Sequence, residues 1–282
     1  MPLGEEFVFL ALILGMIIGI ISSIVGIGGG ILFIPTAIFL FGFTQKQAVV
    51  ISLFSMTGLN ISASIRYIKM KLVNYRLAIL YNIWDFPGVF IGAWITTLIT
   101  GNVLSGICGA IIISLGILLL RRRNSSSSKQ NNSINLEKEN TFQIPVENKR
   151  SKKYGVNNPV IASLSSFTGG LISGLGGVGG GTTDTTTMVL LGVNPKVAAA
   201  TSEFAMFFTS VIGVIAHTLF GTYNGSLLWP LIMTLGAIIG AQIGPYLSTK
   251  VKSKIIRKII AIFALYTGIL LILLMLNIGW IE

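Results

Sequence analysis

The chain has 282 residues, of which 52% are hydrophobic and only 10% charged, with a net charge of +11. Soluble domains carry about 25% charged residues, so this composition excludes one, and apolar runs near the ~20 residues that cross a bilayer recur from end to end. The basic excess sits in short loops beside those runs, where lipid headgroups and topology account for it, so the lipid bilayer and not nucleic acid is the expected partner.

Glu5 and Glu6 precede the first apolar run, 7–25, with no Lys or Arg before it. That run lacks the basic start of a cleavable signal peptide and is expected to remain in the mature protein. Gly26-Ile27-Gly28-Gly29-Gly30 follows it. A helix interior disfavours glycine by roughly 1 kcal/mol relative to alanine, so the cluster marks a place where the helix opens. Opened backbone survives in a bilayer only when buried in protein or lining a wet cavity, which makes the break a candidate floor for a ligand site. Close helix packing through small residues is the alternative.

The next run, 31–41, contains Pro35 and is short for a crossing. A span is expected at 47–65, then a basic loop at 66–76, and spans at 77–99 and 103–120 joined by Thr100-Gly101-Asn102. Cys108 is the single cysteine, which excludes an internal disulfide and a cysteine metal cluster. Residues 121–158 open with Arg121-Arg122-Arg123 and a four-serine run, and read as a flexible linker. The second half repeats the pattern: an apolar run at 159–175, the break Gly177-Val178-Gly179-Gly180-Gly181, a short run at 182–193, and spans at 197–220, 226–248 and 259–276, with a basic loop at 250–258.

The halves align. Phe41-Gly42-Phe43-Thr44-Gln45-Lys46 falls on Leu191-Gly192-Val193-Asn194-Pro195-Lys196, Ser52, Phe54 and Met56 fall on Ser202, Phe204 and Met206, and one residue of slippage brings the glycine breaks into register. Gly88 and Gly92 fall on Gly236 and Gly240, a small-x-x-x-small face suited to tight helix contact. If each break tips a hairpin that enters and leaves on one side, nearly all the basic loops face the cytoplasm. The expected fold is therefore an all-α polytopic membrane protein of two inverted repeats, each a glycine-broken helical hairpin plus three transmembrane helices, about eight membrane elements in all. The first repeat is 1–120, the cytoplasmic linker 121–158 and the second repeat 159–282.

The Gly-Ile-Gly-Gly-Gly-Ile-Leu-Phe-Ile-Pro run ending at Pro35, the segment from Lys46-Gln47-Ala48 to Ser52, the basic loop containing Val73-Asn74-Tyr75, and the recurrence of the first two features together resemble the TauE/SafE, or sulfite exporter, family of membrane permeases. The resemblance covers nearly everything outside 121–158. It implies about eight spans, a multi-pass place in the cell membrane, and transport of a small anion such as sulfite, a sulfonate or a related organosulfur compound. A homo-oligomer is left open.

Asp85, Asp184, Glu203 and His217 are the Asp, Glu and His residues that fall within apolar runs. A charged carboxylate at membrane depth costs several kcal/mol, so such groups pair, protonate or face a cavity. Asp184 and Glu203 stand where the first half has Phe33 and Leu53. With Asp85, which precedes Pro87 and also reads as a structural pair or cap, they are the candidates for proton or ion coupling. His217, near the outer end of its span, reads as an interfacial histidine more than a proton carrier. An oxyanion needs donors more than cations, and backbone N–H groups at helix N-termini supply them. The candidate substrate contacts are therefore Gly28, Gly29, Gly30, Gly179, Gly180, Gly181, Thr182, Thr183, Ser52 and Ser202. A cation carrier using the same acids as ligands is the alternative. An enzyme is not expected, since there is no His-Glu-x-x-His pattern and no nucleophile with base and orienter, and neither metal nor cofactor is implied.

Overall fold

The computed structural model describes residues 5–121, 158–191, 193–222, 228–248 and most of 261–276, and every described element is helical. Almost all of the expected linker, the basic loop at 250–258 and part of the turn after 220 lie outside the described residues. The helices are α1 (Glu5–Val25), α2 (Gly30–Pro35), α3 (Gln45–Lys69), α4 (Tyr75–Leu98), α5 (Gly101–Arg121), α6 (Pro159–Gly176), α7 (Gly181–Leu190), α8 (Pro195–Leu219) and α9 (Leu228–Leu247). Further helical residues fall between 261 and 275.

Capping sets several boundaries a residue or two outside the apolar runs. Thr44 and Gln47 form a reciprocal capping box, with the Thr44 amide donating to Gln47 Oε1 at 3.1 Å, so α3 begins at Gln45. Asn74, Asn158 and Asn194 accept from first-turn amides of α4, α6 and α8, and Pro159 and Pro195 occupy the first turn where a missing N–H is harmless. Pro35 ends α2, and the chain continues as a π-helical turn over Thr36–Leu40. Having no N–H, Pro35 cannot close the regular ladder, and the wider turn follows directly.

Six helices (α1, α3, α4, α6, α8 and α9) are long and apolar enough to cross a bilayer. The stretch Gly30–Leu40 and α7 are short. At 1.5 Å per residue they reach only about 15 Å, half of a ~30 Å hydrocarbon core.

Each helix that leads into a glycine break packs along a helix of the other half. α1 lies parallel to α9, with Gly236 against the Leu12 carbonyl, Gly240 against Met16, and Gly15 and Gly19 against Met233 and Ala237. α4 and α6 do the same: Gly88 meets Phe167 and Leu171, Gly92 meets Leu171 and Leu175, and Gly170 and Gly174 meet the backbones of Asp85 and Val89. The glycines at 88, 92, 236 and 240 are thus the close helix contacts their spacing predicted. α3 runs antiparallel to α8, since Thr57 Oγ1 donates to Ser210 Oγ at 3.2 Å while Leu53 packs on Gly213. It runs parallel to α9, where Ser62 Oγ donates to the Ile238 carbonyl at 2.7 Å and Gln242 Nε2 to the Ser62 carbonyl at 2.9 Å. Ile31, Leu53, Met56, Val178, Met206 and Met233 belong to one buried cluster, to which both halves contribute. Large apolar side chains such as Phe9, Trp94, Leu164, Leu219 and Leu235 are exposed around the outside, as a lipid-facing perimeter requires.

Candidate functional site

The two glycine breaks meet in the middle of this core. Gly26, Gly28 and Gly29 hold φ of 76°, 79° and 85°, and Gly177 and Gly179 hold 61° and 84°, the left-handed region that side chains resist. Gly30 abuts the carbonyls of Gly177 and Val178, and a Cβ at Gly181 would lie 3.3 Å from the Gly26 carbonyl. Across the contact, Thr185 Oγ1 donates to the Gly26 carbonyl at 2.9 Å and Ser52 Oγ donates to the Gly177 carbonyl at 2.7 Å. Within the second half, Ser202 Oγ donates to Gly181 at 3.4 Å and Thr183 Oγ1 to Gly180 at 2.6 Å. Met56 and Met206 fill the remaining space: their thioether ends crowd Gly28, Gly179 and Gly181 from both sides.

Every residue expected to contact substrate is therefore gathered here. All are buried except Thr183, which is partly exposed. One expectation changes in kind. The hydroxyls of Ser52, Ser202 and Thr183 each donate to a backbone carbonyl, that of Gly177 in the opened segment and those of Gly181 and Gly180 at the start of α7, so they do not stand free as donors. The Thr182 hydroxyl, buried at the start of α7, has no such partner.

The acids divide between the two breaks. Asp184 lies in the first turn of α7, fully buried, where the helix dipole favours negative charge. Gly169 gives it room, since a Cβ there would lie 3.1 Å from Asp184 Oδ1. Asp85 and Tyr81, on α4, come close enough to Asp184 for their charges to interact. Each Asp85 oxygen has one hydroxyl within reach, Oδ1 that of Ser166 at 3.1 Å and Oδ2 that of Thr209 at 3.0 Å. Neither hydroxyl serves Asp85 alone: the one Ser166 hydrogen is shared with the Tyr81 carbonyl, and Thr209 Oγ1 also lies 3.3 Å from Asn82 Oδ1 and 3.2 Å from the Ala205 carbonyl. Through these contacts the Asp85 carboxyl joins α4 to α6 and α8.

Glu203 belongs to the second half yet faces the break of the first. The Gly28 amide and Tyr67 are its neighbours, and neither carboxyl oxygen closes a hydrogen bond. The oxygens of Asp184 are likewise unpaired. The described Lys and Arg residues of known exposure, Lys46, Arg66, Lys69, Lys71, Arg76 and Lys196, are all at least partly exposed and supply no buried counter-charge. Among the described residues no group of three or more His, Cys, Asp or Glu side chains converges to hold a metal ion.

His217, in the last turn of α8, is fully buried, with Nε2 2.9 Å from the Gly174 carbonyl near the end of α6. Tyr67 was not singled out by its sequence surroundings. Its hydroxyl donates to the Ser23 carbonyl at 2.6 Å, and the alignment of the halves that lays Ser52 on Ser202 also lays Tyr67 on His217. That register was the signal available for both.

The profile of the family described as Sulfite exporter TauE/SafE matches residues 11–271. The chain is 32% identical over 242 residues to "Probable membrane transporter protein YunE" of Bacillus subtilis, covering 82% of this chain and 85% of that protein. It is 28% identical over 228 residues to a "probable membrane transporter protein" of Methanocaldococcus jannaschii, covering 77% of this chain and 76% of the relative. A shorter stretch of 61 residues is 34% identical to "Sulfite exporter TauE/SafE family protein 6" of Arabidopsis thaliana, covering 22% of this chain and 14% of that one. No solved structure matches. With its apolar spans, its lipid-facing perimeter and a family match over nearly its whole length, the chain belongs to the TauE/SafE family and is a multi-pass membrane transporter, not an enzyme.

Proposed function

We propose that this transporter moves a small anion, a sulfur-containing oxyanion or organosulfonate, through the junction of the two glycine breaks, and that protonation of Glu203 or Asp184 is coupled to that movement. One observation carries the reading: two opened helices meet in the buried core, and each is faced by a carboxylate with unpaired oxygens, Glu203 at Gly28 and Asp184 in the first turn of α7. Opened backbone at a helix start offers N–H donors to an oxyanion without any buried Lys or Arg. A carboxylate in the same place competes with that anion while charged and yields to it once protonated. Anion entry and proton uptake are thereby one event.

The closeness of the two breaks also supports an inverted-repeat arrangement of about eight membrane elements, with repeats 1–120 and 159–282 contributing one half-length limb each. The antiparallel crossing of α3 and α8, which align in sequence, agrees with it. In this proposal both breaks are re-entrant and the basic loops are cytoplasmic.

The unpaired acid oxygens equally favour a second reading, in which Asp184 and its threonine neighbours ligate a monovalent cation. Transport into liposomes holding the purified protein separates them. Uptake is measured for sulfite, sulfonates, carboxylates, sodium and potassium, with and without a pH gradient. Saturable sulfite or sulfonate uptake driven by the proton gradient is the expected result. Selective cation movement with no response to any anion overturns the proposal.

A further inference from the structure

Opening a helix leaves carbonyls in its last turn without donors, and the two breaks solve this at matched places. At the end of α1 the amides of Gly26 and Ile27 both go to the Ser22 carbonyl, at 2.9 and 3.5 Å, so the Ser23 carbonyl receives no backbone N–H among the described residues. The Tyr67 hydroxyl donates to it at 2.6 Å. At the end of α6 the Gly177 amide goes to the Ser173 carbonyl at 2.8 Å, and the Gly174 carbonyl is left in the same condition. His217 Nε2 reaches it at 2.9 Å. Both side chains are buried, at 2% and 0% exposure, and both stand near the C-terminal ends of the aligned helices α3 and α8.

We infer that Tyr67 and His217 are a matched pair of positioning residues, each holding the mouth of one glycine break in its opened shape by donating to the carbonyl that the break strands. A carbonyl only accepts, so His217 Nε2 carries a hydrogen. Nδ1 has no partner. His217 therefore acts as a fixed donor at this point, interchangeable with another donor of the same reach. The difference between tyrosine in one half and histidine in the other is a difference of shape and not of task. In a bilayer interior the stranded carbonyl has no water to turn to, so losing the donor loosens the opened segment beside it.

Four variants of the full chain test this: Tyr67→Phe, His217→Leu, His217→Gln and His217→Tyr. Gln keeps an N–H donor at nearly the position of Nε2 and cannot titrate. Amide hydrogen exchange is read separately over 22–30 and 173–181, which needs no knowledge of the substrate. Tyr67→Phe is expected to speed exchange over 22–30 by about tenfold and leave 173–181 unchanged, and His217→Leu to do the reverse. His217→Gln, or Tyr at the same position, is expected to restore protection. Uniform acceleration in both segments, or no rescue by either donor, overturns the inference.

A second arm rests on the anion reading and uses sulfite uptake. There, His217→Gln is expected to keep the wild-type pH profile while His217→Leu raises KM more than it lowers kcat. Normal exchange protection in the Gln variant together with a flattened pH profile overturns the donor-only role, because it makes His217 a proton carrier. If the wild type moves neither sulfite nor any other anion, the anion reading fails and the exchange arm still decides the positioning role.

Discussion

Replacing Gly240 by alanine probes the close contact of α1 with α9. A Cβ there would lie 2.8 Å from the Ile20 amide nitrogen and 2.9 Å from the Met16 carbonyl carbon, with the Met16 carbonyl oxygen nearer still. Ordinary contact between such atoms is about 3.5–4.0 Å, so α1 and α9 must separate by roughly 1 Å. All three obstacles are backbone and cannot rotate away. Overpacking of this kind costs about 1–3 kcal/mol, partly offset by up to about 1 kcal/mol of better helix propensity. A net loss of about 1–2 kcal/mol corresponds to a fall in Tm of a few degrees for a chain of this size. Gly101→Ala is the control, since a Cβ there meets nothing within 4 Å and the residue starts α5. Both proteins are purified in the same detergent and their thermal unfolding is followed by tryptophan fluorescence. A Gly240→Ala protein as stable as the Gly101→Ala protein would refute the reasoning, because the glycine stripe would then not hold α1 against α9.

Three further outcomes are expected. Glu203→Gln removes a buried carboxylate that has no counter-charge among the described residues, so folded yield should be kept while proton-driven accumulation is lost; full activity with wild-type pH dependence eliminates Glu203 as a coupling group and leaves Asp184. A cysteine introduced at Ser253 should react with a membrane-impermeant maleimide only from the cytoplasmic side, against a low background because Cys108 is buried, and labelling from outside alone reverses the orientation. Deleting part of 125–150 while leaving enough chain to join the halves should preserve uptake, since that composition cannot build a core, and loss of uptake in a correctly inserted deletion protein gives the segment a role.

The helices were legible because bilayer length and glycine punctuation act locally. The run at 7–25 became α1, and the alignment of Gly88 with Gly236 predicted two contacts that share the same geometry. The breaks were visible as places where helix must open. Their meeting was not, because it depends on α1 packing against α9 and α6 against α4, pairings across the halves that no local pattern encodes. The same reason hid which break each acid serves: Glu203 lies in the second half and faces Gly28. That His217 is enclosed against the end of α6 was not legible, because position along a helix says nothing of the direction its side chain points. Thr185, Ser166 and Thr209 looked like ordinary polar residues in apolar sequence until the carbonyls and carboxylate they serve were in view.

The bracing across the breaks also dictates an order of events during synthesis. The Gly26 carbonyl takes its hydrogen bond from Thr185, and the Gly177 carbonyl takes one from Ser52. When the ribosome has delivered only the first half, α1 has no α9 to lie against and Gly26 has no donor from α7. The first half must therefore wait in the bilayer in a form other than its final one, with α1 held by helices that later give way or with its opened turn closed into ordinary helix. Assembly is completed only when the C-terminal helices arrive. A membrane insertase that kept early helices sheltered from lipid would serve such a chain well, and separately expressed halves should mature only when made together.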